Sequence, residues 1–583
     1  MSKQKQNIVE GGVILTLAVV VVKIVGAVYK IPTFGLIGED GVGFYYTAYN
    51  LYLTVYSLAV TGFPVAVSKI VAGFAAEGRF KDVRKLVKVS RWAFGILGVI
   101  SSIVLALLAR PYVNAIDNPR SYYCVLMVAP SLLFSCLMSV QRGYNQGMQN
   151  MVPTAVSQVI EVLFKAGAGF GLAYIAKSRL SAEFAASGTV FGEVCADAAT
   201  ADVAISAVTA AAVILGVSIS TFAGWAYLAI RRAFKGDGIH AADIINSPRA
   251  HSAGYLLKQI GIFVLPIAIS SVTVNITGLI DNASILERLR GVVEGNLATL
   301  YASHGGWLEQ AEKAPADLPN YLYGVYNSAI SIFNLVPSLT GSFGMSALPH
   351  VTAAWQLKNR AAVTEGMEST LRLTTLIAAP AGFGIAFLAG PIAQLLYGNS
   401  MPVGSHMMGT ILTILGIAAI FVAIVSPLNA LLQAVGRIDV PVKLMVVGGL
   451  IKLASNYFLV AVPSLNIKAA PAGNLLCYLV IFILSIIIVQ KTAGIKLDIK
   501  GTLIKPLFAG LMCGVFALLA YNVFTRLLPS ISAKIVTVAA IGVGALVYVI
   551  VLGVTKALAR EDVRSFPGGR KLEVLLEKVH MLR

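Results

Sequence analysis

Charge is scarce in this chain. Asp, Glu, Lys and Arg together make up 12% of its 583 residues, about half of the roughly 25% found in soluble globular domains. The five cysteines (Cys124, Cys136, Cys195, Cys477 and Cys513) are scattered. None of them pairs at metal-ligand spacing, and an odd count argues against a disulfide framework. The six histidines form no HExxH and no Cys/His cluster, so no metal site is expected. Also missing are a Walker A loop, a GxSxG elbow and the paired acidic motif that glycosyl transfer would need. These absences point away from an enzyme and away from a bound cofactor.

What fills the chain is apolar: 57% of its residues are hydrophobic. Segments of about 20 residues, long enough to cross a bilayer as helices, recur along the whole length. They fall near 11–29, 45–72, 92–109, 122–140, 152–175, 203–230 and 259–280, then near 323–348, 373–396, 407–432, 440–462, 470–490, 505–524 and 535–555. Short alternating segments of the kind a β-barrel needs are not seen. The expected fold is therefore an all-α polytopic membrane protein with about 14 transmembrane helices. Lys3 and Lys5 precede the first apolar run, which contains Lys23 and has no convincing cleavage site, so it reads as a retained helix.

The net charge of +18 follows from where the basic residues sit. Lysine and arginine crowd alternate loops, for example Arg79 to Arg91, Arg231 to Lys258, Lys491 to Lys505 and the tail after Lys556. By the positive-inside rule both termini are then cytoplasmic, and nucleic acid is not the partner. The segment 281–320 carries Glu287, Glu294, Glu309, Glu312 and Asp317 and reads as the longest outside loop. The tail 557–583 is basic and partly amphipathic and suits the inner leaflet.

Two stretches echo each other. Gln146, Gly147 and Pro153 lead into a segment with Lys165, and Gln433, Gly436 and Pro441 lead into one with Lys452. Six spans separate them, which predicts two six-helix lobes, 1–235 and 250–492, followed by two further helices in 500–556. Paired lobes around a site are a transporter architecture.

Lysines inside the spans are the strongest functional signal. A charge at mid-bilayer costs about 2.5–3.5 kcal/mol on insertion scales and usually faces a bundle interior or a wet cavity. Lys23 is such a residue, and Lys30 follows almost two turns later on the same face. Lys30 serves equally as an interfacial anchor, and Lys69 equally as a positive-inside residue. Glu161 and Lys165 are spaced as an i,i+4 pair, which reads as self-neutralising or as an ion relay. Lys452 has no acidic residue in its own segment, and Asp281 follows Asn275 at the end of the seventh span. Glu161, Lys165, Asp281 and Lys452 are the candidates for ion coupling. Asn327 and Asn334 form a polar stripe with Ser328, Ser331 and Ser338, suited to helix contacts or a cavity wall.

Three motifs carry a resemblance. Gly35-Leu36-Ile37-Gly38-Glu39-Asp40-Gly41-Val42-Gly43 is similar to the LGxxGxG turn of the polysaccharide flippase family, and Gly62 to Lys69 resembles its second-helix signature. Gly143 to Pro153 resembles its fourth-to-fifth loop. Together they resemble the stage V sporulation protein B branch of the multidrug/oligosaccharidyl-lipid/polysaccharide exporter superfamily, although 177–202 is longer and more polar than that pattern. The resemblance implies a two-lobed bundle with an alternately accessible cavity and a lipid-linked oligosaccharide as substrate, lipid II included. Basic residues of the first two helices would hold the pyrophosphate, here Lys23, Lys30 and Lys69, with Asn327 and Asn334 on the sugar path. With no nucleotide site, transport must draw on an ion gradient such as sodium or proton, on the membrane potential or on the substrate gradient. The rival readings are a cation-coupled multidrug antiporter of the same superfamily, which predicts an acidic cavity, and a non-transporting envelope-synthesis scaffold, which leaves the buried lysines without a role.

Overall fold

The computed structural model describes residues 8–437 and 439–557. It is helical almost throughout and divides into two compact units, one ending at Ala283 and one beginning at Ser284. Eleven stretches among the described residues are long and apolar enough to cross a membrane. The other three expected spans, 11–29, 259–280 and 323–348, are helical as well.

The first unit contains α1 (Ile8–Ala59), α2 (Phe63–Ala76), α3 (Phe80–Ala115), α4 (Tyr122–Val128), α5 (Pro130–Gly147), α6 (Val152–Ser187), α7 (Ala198–Lys235), α8 (Ala241–Ile245) and the first part of α9 (Ala253–Ser303). α1 is two helices joined at Gly38, whose φ of 68° and ψ of 178° break the helical path. Such a backbone excludes ordinary side chains, which explains a glycine in the turn motif. The first helix thus runs to the turn at Gly38 and not to residue 29. Pro64 opens α2 instead of bending a span, since the first helical turn has no use for its missing N–H. α2, α3, α5 and α9 share an apolar core that includes Val67, Leu86, Phe94, Val140 and Leu256.

The polar segment 177–202 folds locally. α6 continues to Ser187, and a hairpin of β1 (Thr189–Val190) and β2 (Glu193–Val194) follows. Its two central residues, Phe191 and Gly192, have φ of 53° and 82°, the left-handed pair a tight hairpin turn requires. Asp197 then caps α7 by accepting from the Thr200 amide at 2.7 Å.

The second unit holds the rest of α9, then α10 (Leu318–Phe333), α11 (Leu335–Gln356), α12 (Arg360–Phe387), α13 (Ala389–Tyr397), α14 (Pro402–Ala434), α15 (Asp439–Leu459), α16 (Ala470–Ala493), α17 (Lys505–Leu527) and α18 (Ala533–Thr555). The acidic stretch after Asp281 is helical up to Ser303 and not loop, with a break at Asn296, whose φ is -147° and ψ 46°. Leu286, Leu289, Val292 and Leu300 are buried there while Glu287 and Glu294 are exposed. That is an amphipathic helix, which needs no continuous hydropathy.

The echo between the halves extends to hydrogen bonds. At the end of α5, the amides of Gln149 and Asn150 reach back to the carbonyls of Gln146 and Asn145, at 3.0 and 2.9 Å. At the end of α14, Gly436 and Arg437 reach back to Gln433 and Leu432 at 3.0 and 2.9 Å. Gln149 and Gly436 both have positive φ, so both helices end in the same left-handed cap.

Each unit also contains a glycine-on-glycine crossing. A Cβ on Gly216 of α7 would sit 2.6 Å from the Gly169 nitrogen of α6, and one on Gly416 of α14 would sit 2.7 Å from the Gly382 carbonyl oxygen of α12. Small residues let membrane helices approach this closely. Gly216→Val is expected to cost about 1–3 kcal/mol by overpacking. A thermal unfolding midpoint unchanged in detergent would show that the crossing yields without cost.

Candidate functional site

The second half of α1 presents Tyr45, Tyr49, Tyr52 and Tyr56 at i, i+4, i+7 and i+11, which is one helical face. Successive ring centres lie 5.3, 5.7 and 5.5 Å apart, and the Tyr45–Tyr49 pair is stacked. Tyr45 and Tyr52 are buried, whereas Tyr49 and Tyr56 are half-buried. The result is an aromatic ladder within the first unit.

Two lysines flank it. Lys30 lies one helix earlier on α1 and donates to the Tyr46 hydroxyl at 3.2 Å. Its Nζ lies 5.7 Å from the Tyr46 ring centre and 5.9 Å from that of Phe34. Lys165 of α6 places its Nζ 5.2 Å from the centre of the Tyr49 ring. Aromatic faces hold cations at such distances without neutralising them. Neither lysine has a carboxylate partner among the described residues.

Glu161 does not pair with Lys165. Its Oε2 accepts from Arg142 Nη2 at 2.8 Å, and Arg142 Nε donates to Ser157 Oγ at 2.9 Å. Helix spacing allows the i,i+4 pair, but the planar guanidinium from α5 reaches the carboxylate with a charge-assisted bond that fixes its geometry. The Arg142 side chain is only 14% exposed.

The other candidates separate. Lys23 lies on α1, and its side chain lies outside the described residues. Lys69 sits on α2 with its Nζ 4.2 Å from the ring centre of Phe263 on α9. Asp281 is buried inside α9 and does not end it. Next to it, Asn282 exchanges hydrogen bonds with Thr47 at 3.3 Å, tying α9 to α1. Asn327, Asn334 and Lys452 belong to the second unit. The Asn327 amide donates to the Tyr323 carbonyl at 2.9 Å, and Ser328, Ser331 and Ser338 likewise donate to carbonyls four residues back. Asn327 and the three serines of the polar stripe thus donate within their own helices. Lys452 is buried on α15 where Gly473 of α16 comes close.

These features define a two-unit, helical, multi-span membrane protein with a cationic, aromatic face in its first unit. The family model described as "Polysaccharide biosynthesis protein" matches residues 8–355, and the chain belongs to that family. A second model, "Lipid II flippase MurJ", matches residues 324–539. Among curated proteins, the chain is 24% identical over 523 residues to the lipid II flippase MurJ of Bacillus subtilis (strain 168), covering 87% of each. It is 23% identical to stage V sporulation protein B of the same organism, covering 97% of this chain and 98% of the relative. Among solved structures, the inward closed conformation of lipid II flippase MurJ superposes with a TM-score of 0.62 at 12% identity, covering 93% of this chain and 98% of that one. None of these names is that of an enzyme, in keeping with the lack of catalytic motifs.

Proposed function

We infer that this transporter flips polyprenyl-pyrophosphate-linked saccharides, lipid II or a polysaccharide repeat unit, across the bacterial plasma membrane. The observation that carries this reading is the pair of lysines, Lys30 and Lys165, beside the tyrosine ladder and without carboxylate partners among the described residues. Pyrophosphate is the anion such cations suit, because desolvated ammonium groups hold phosphate oxygens strongly. Sugars present flat C–H faces that pack on aromatic rings, so the ladder supplies a track for the headgroup. Lys23 and Lys69 are proposed as further cations for the pyrophosphate, and Asn327 and Asn334 as polar contacts for the saccharide. The two lobes, 1–235 and 250–492, would alternate access by rocking, with both termini cytoplasmic. The cations of the ladder argue against an acidic drug-binding cavity. A sodium or proton gradient is the proposed energy source, with Glu161, Lys165, Asp281 and Lys452 as the candidate coupling residues.

Complementation tests the reading. Expressed in bacteria depleted of their own lipid II flippase, the wild-type chain should restore growth. Full membrane expression without rescue, together with no flipping of any polyprenyl-pyrophosphate saccharide in proteoliposomes, would refute it.

A further inference from the structure

A second basic site lies elsewhere in the first unit. It is a cavity of about 870 Å³ between α3, α5 and α7. Arg84, Lys88 and Arg91 enter it from α3 at i, i+4 and i+7, and Arg232 enters from the end of α7. One carboxylate, Asp237, stands against these four cations, and it is bound to Arg84 through two bonds of 2.5 and 3.1 Å. Burial pushes the Asp237 carboxyl up, but the Arg84 and Ile239 hydrogen bonds and the Arg84 and Arg232 charges outweigh it, and it stays below the ordinary carboxylate range. Asp237 is therefore committed, and three cations remain.

The nitrogens Arg91 Nε and Arg232 Nη1 are buried and have no hydrogen-bond partner among the described residues. A buried guanidinium donor left without an acceptor is costly, so the geometry calls for anionic oxygens at this place. Further along α3 the same groove turns apolar. Ile96, Val99 and Ile100 form one wall and Leu133 and Leu137 of α5 the other, while Trp92 stands 71% exposed between the charged and apolar parts. Tryptophan favours that boundary at membrane surfaces. A cationic head pocket continuing into an apolar groove matches a phosphate headgroup with its chain, and basic pockets between membrane helices bind such heads.

We propose that this cavity is a structural site for an anionic diacyl phospholipid, separate from the transport site, with its phosphate on Arg91 and Arg232 and an acyl chain along Trp92, Ile96 and Leu137. The bound lipid would fasten the end of α7 to α3. By the positive-inside reading it belongs to the cytoplasmic leaflet.

Tryptophan quenching tests this on the full chain in nanodiscs. Dibrominated phosphatidylglycerol is titrated into phosphatidylcholine, and the Trp92 signal is isolated by subtracting a Trp92→Phe protein. Quenching should need about tenfold less phosphatidylglycerol than brominated phosphatidylcholine, the preference that one or two charge-assisted bonds give. Arg91→Gln/Arg232→Gln should abolish the preference, and Lys88→Gln, at an exposed position, should weaken it without endangering the fold. Equal quenching by both lipids would overturn the proposal, as would a preference that survives all these changes. Full competition by inorganic phosphate would reduce the cavity to a simple anion site, and displacement by polyprenyl phosphate alone would make it part of the carrier path. Either result would likewise overturn the proposal.

Discussion

Asp82→Ala should be the most destabilising single change in the first unit, by about 3–5 kcal/mol, the range for removing one partner of a buried ion pair. The Asp82 side chain is fully buried. Its Oδ2 accepts from Arg79 Nε at 2.8 Å and forms an ion pair with Arg79 Nη2, also at 2.8 Å. Its Oδ1 accepts from the His251 amide at 2.7 Å and faces His251 Nδ1 at 3.1 Å. The same strap is pinned by Lys81, which reaches the Ser247 carbonyl at 2.8 Å, and by Lys85, which reaches the His251 carbonyl at 2.6 Å. Removing the carboxylate leaves a guanidinium and an amide facing a void and releases the connection between α7 and α9 from the start of α3. Arg79 is 21% exposed and can recover some hydration, which places the effect toward the lower end. Asp82→Asn keeps an acceptor and should cost less. Arg84→Gln breaks a pair whose arginine is 47% exposed and should cost no more than about 1 kcal/mol. The three variants are compared by unfolding of the purified protein in detergent. If Asp82→Ala loses no more than Arg84→Gln, the strap contributes little to the fold.

The helices were legible because a span needs only about 20 apolar residues and leaves no alternative backbone in lipid. Their ends were less so, for identifiable reasons. The charge of Lys30 lowers hydropathy where the helix continues, because its seat is made by Tyr46, sixteen residues on and beyond the break at Gly38. The helix from Asp281 to Ser303 is amphipathic, and its glutamates masked it as a loop. At the site, the lysines stood out as misplaced charges while their partners did not. Arg142 and Glu161 are nineteen residues apart and meet only after α5 and α6 fold back on each other, so local spacing favoured the wrong partner, Lys165. The tyrosine ladder was readable from its i, i+4, i+7, i+11 period alone, but aromatic stripes are common in cores, and only its neighbouring cations distinguish it.

Those cations lead to the second large effect. Lys30→Ala and Lys165→Ala should each lower the transport rate about tenfold or more, since a charge-assisted hydrogen bond to phosphate contributes about 1.5–3 kcal/mol. The folding cost should be small, because neither lysine has a carboxylate to strand among the described residues: Lys30 loses one bond of 3.2 Å to the Tyr46 hydroxyl, and Lys165 loses its place over the Tyr49 ring. Folding and transport should therefore separate here, in contrast to Asp82, where loss of fold comes first. Lys30→Arg and Lys165→Arg keep the charge and should retain most activity. Two lysines that engage one pyrophosphate share a ligand, so the double alanine variant should deviate from the product of the single effects. Tyr49→Leu should lower transport by disturbing both the Tyr45 stack and the seat of Lys165, even with each lysine intact. The measurement is flipping of a fluorescent polyprenyl-pyrophosphate saccharide in proteoliposomes at matched protein content. Alanine variants that flip at the wild-type rate would remove the anion from this face of the first unit. Loss of transport in the arginine variants as well would mean that the lysines act through their shape and packing, and not through the charge they offer to phosphate.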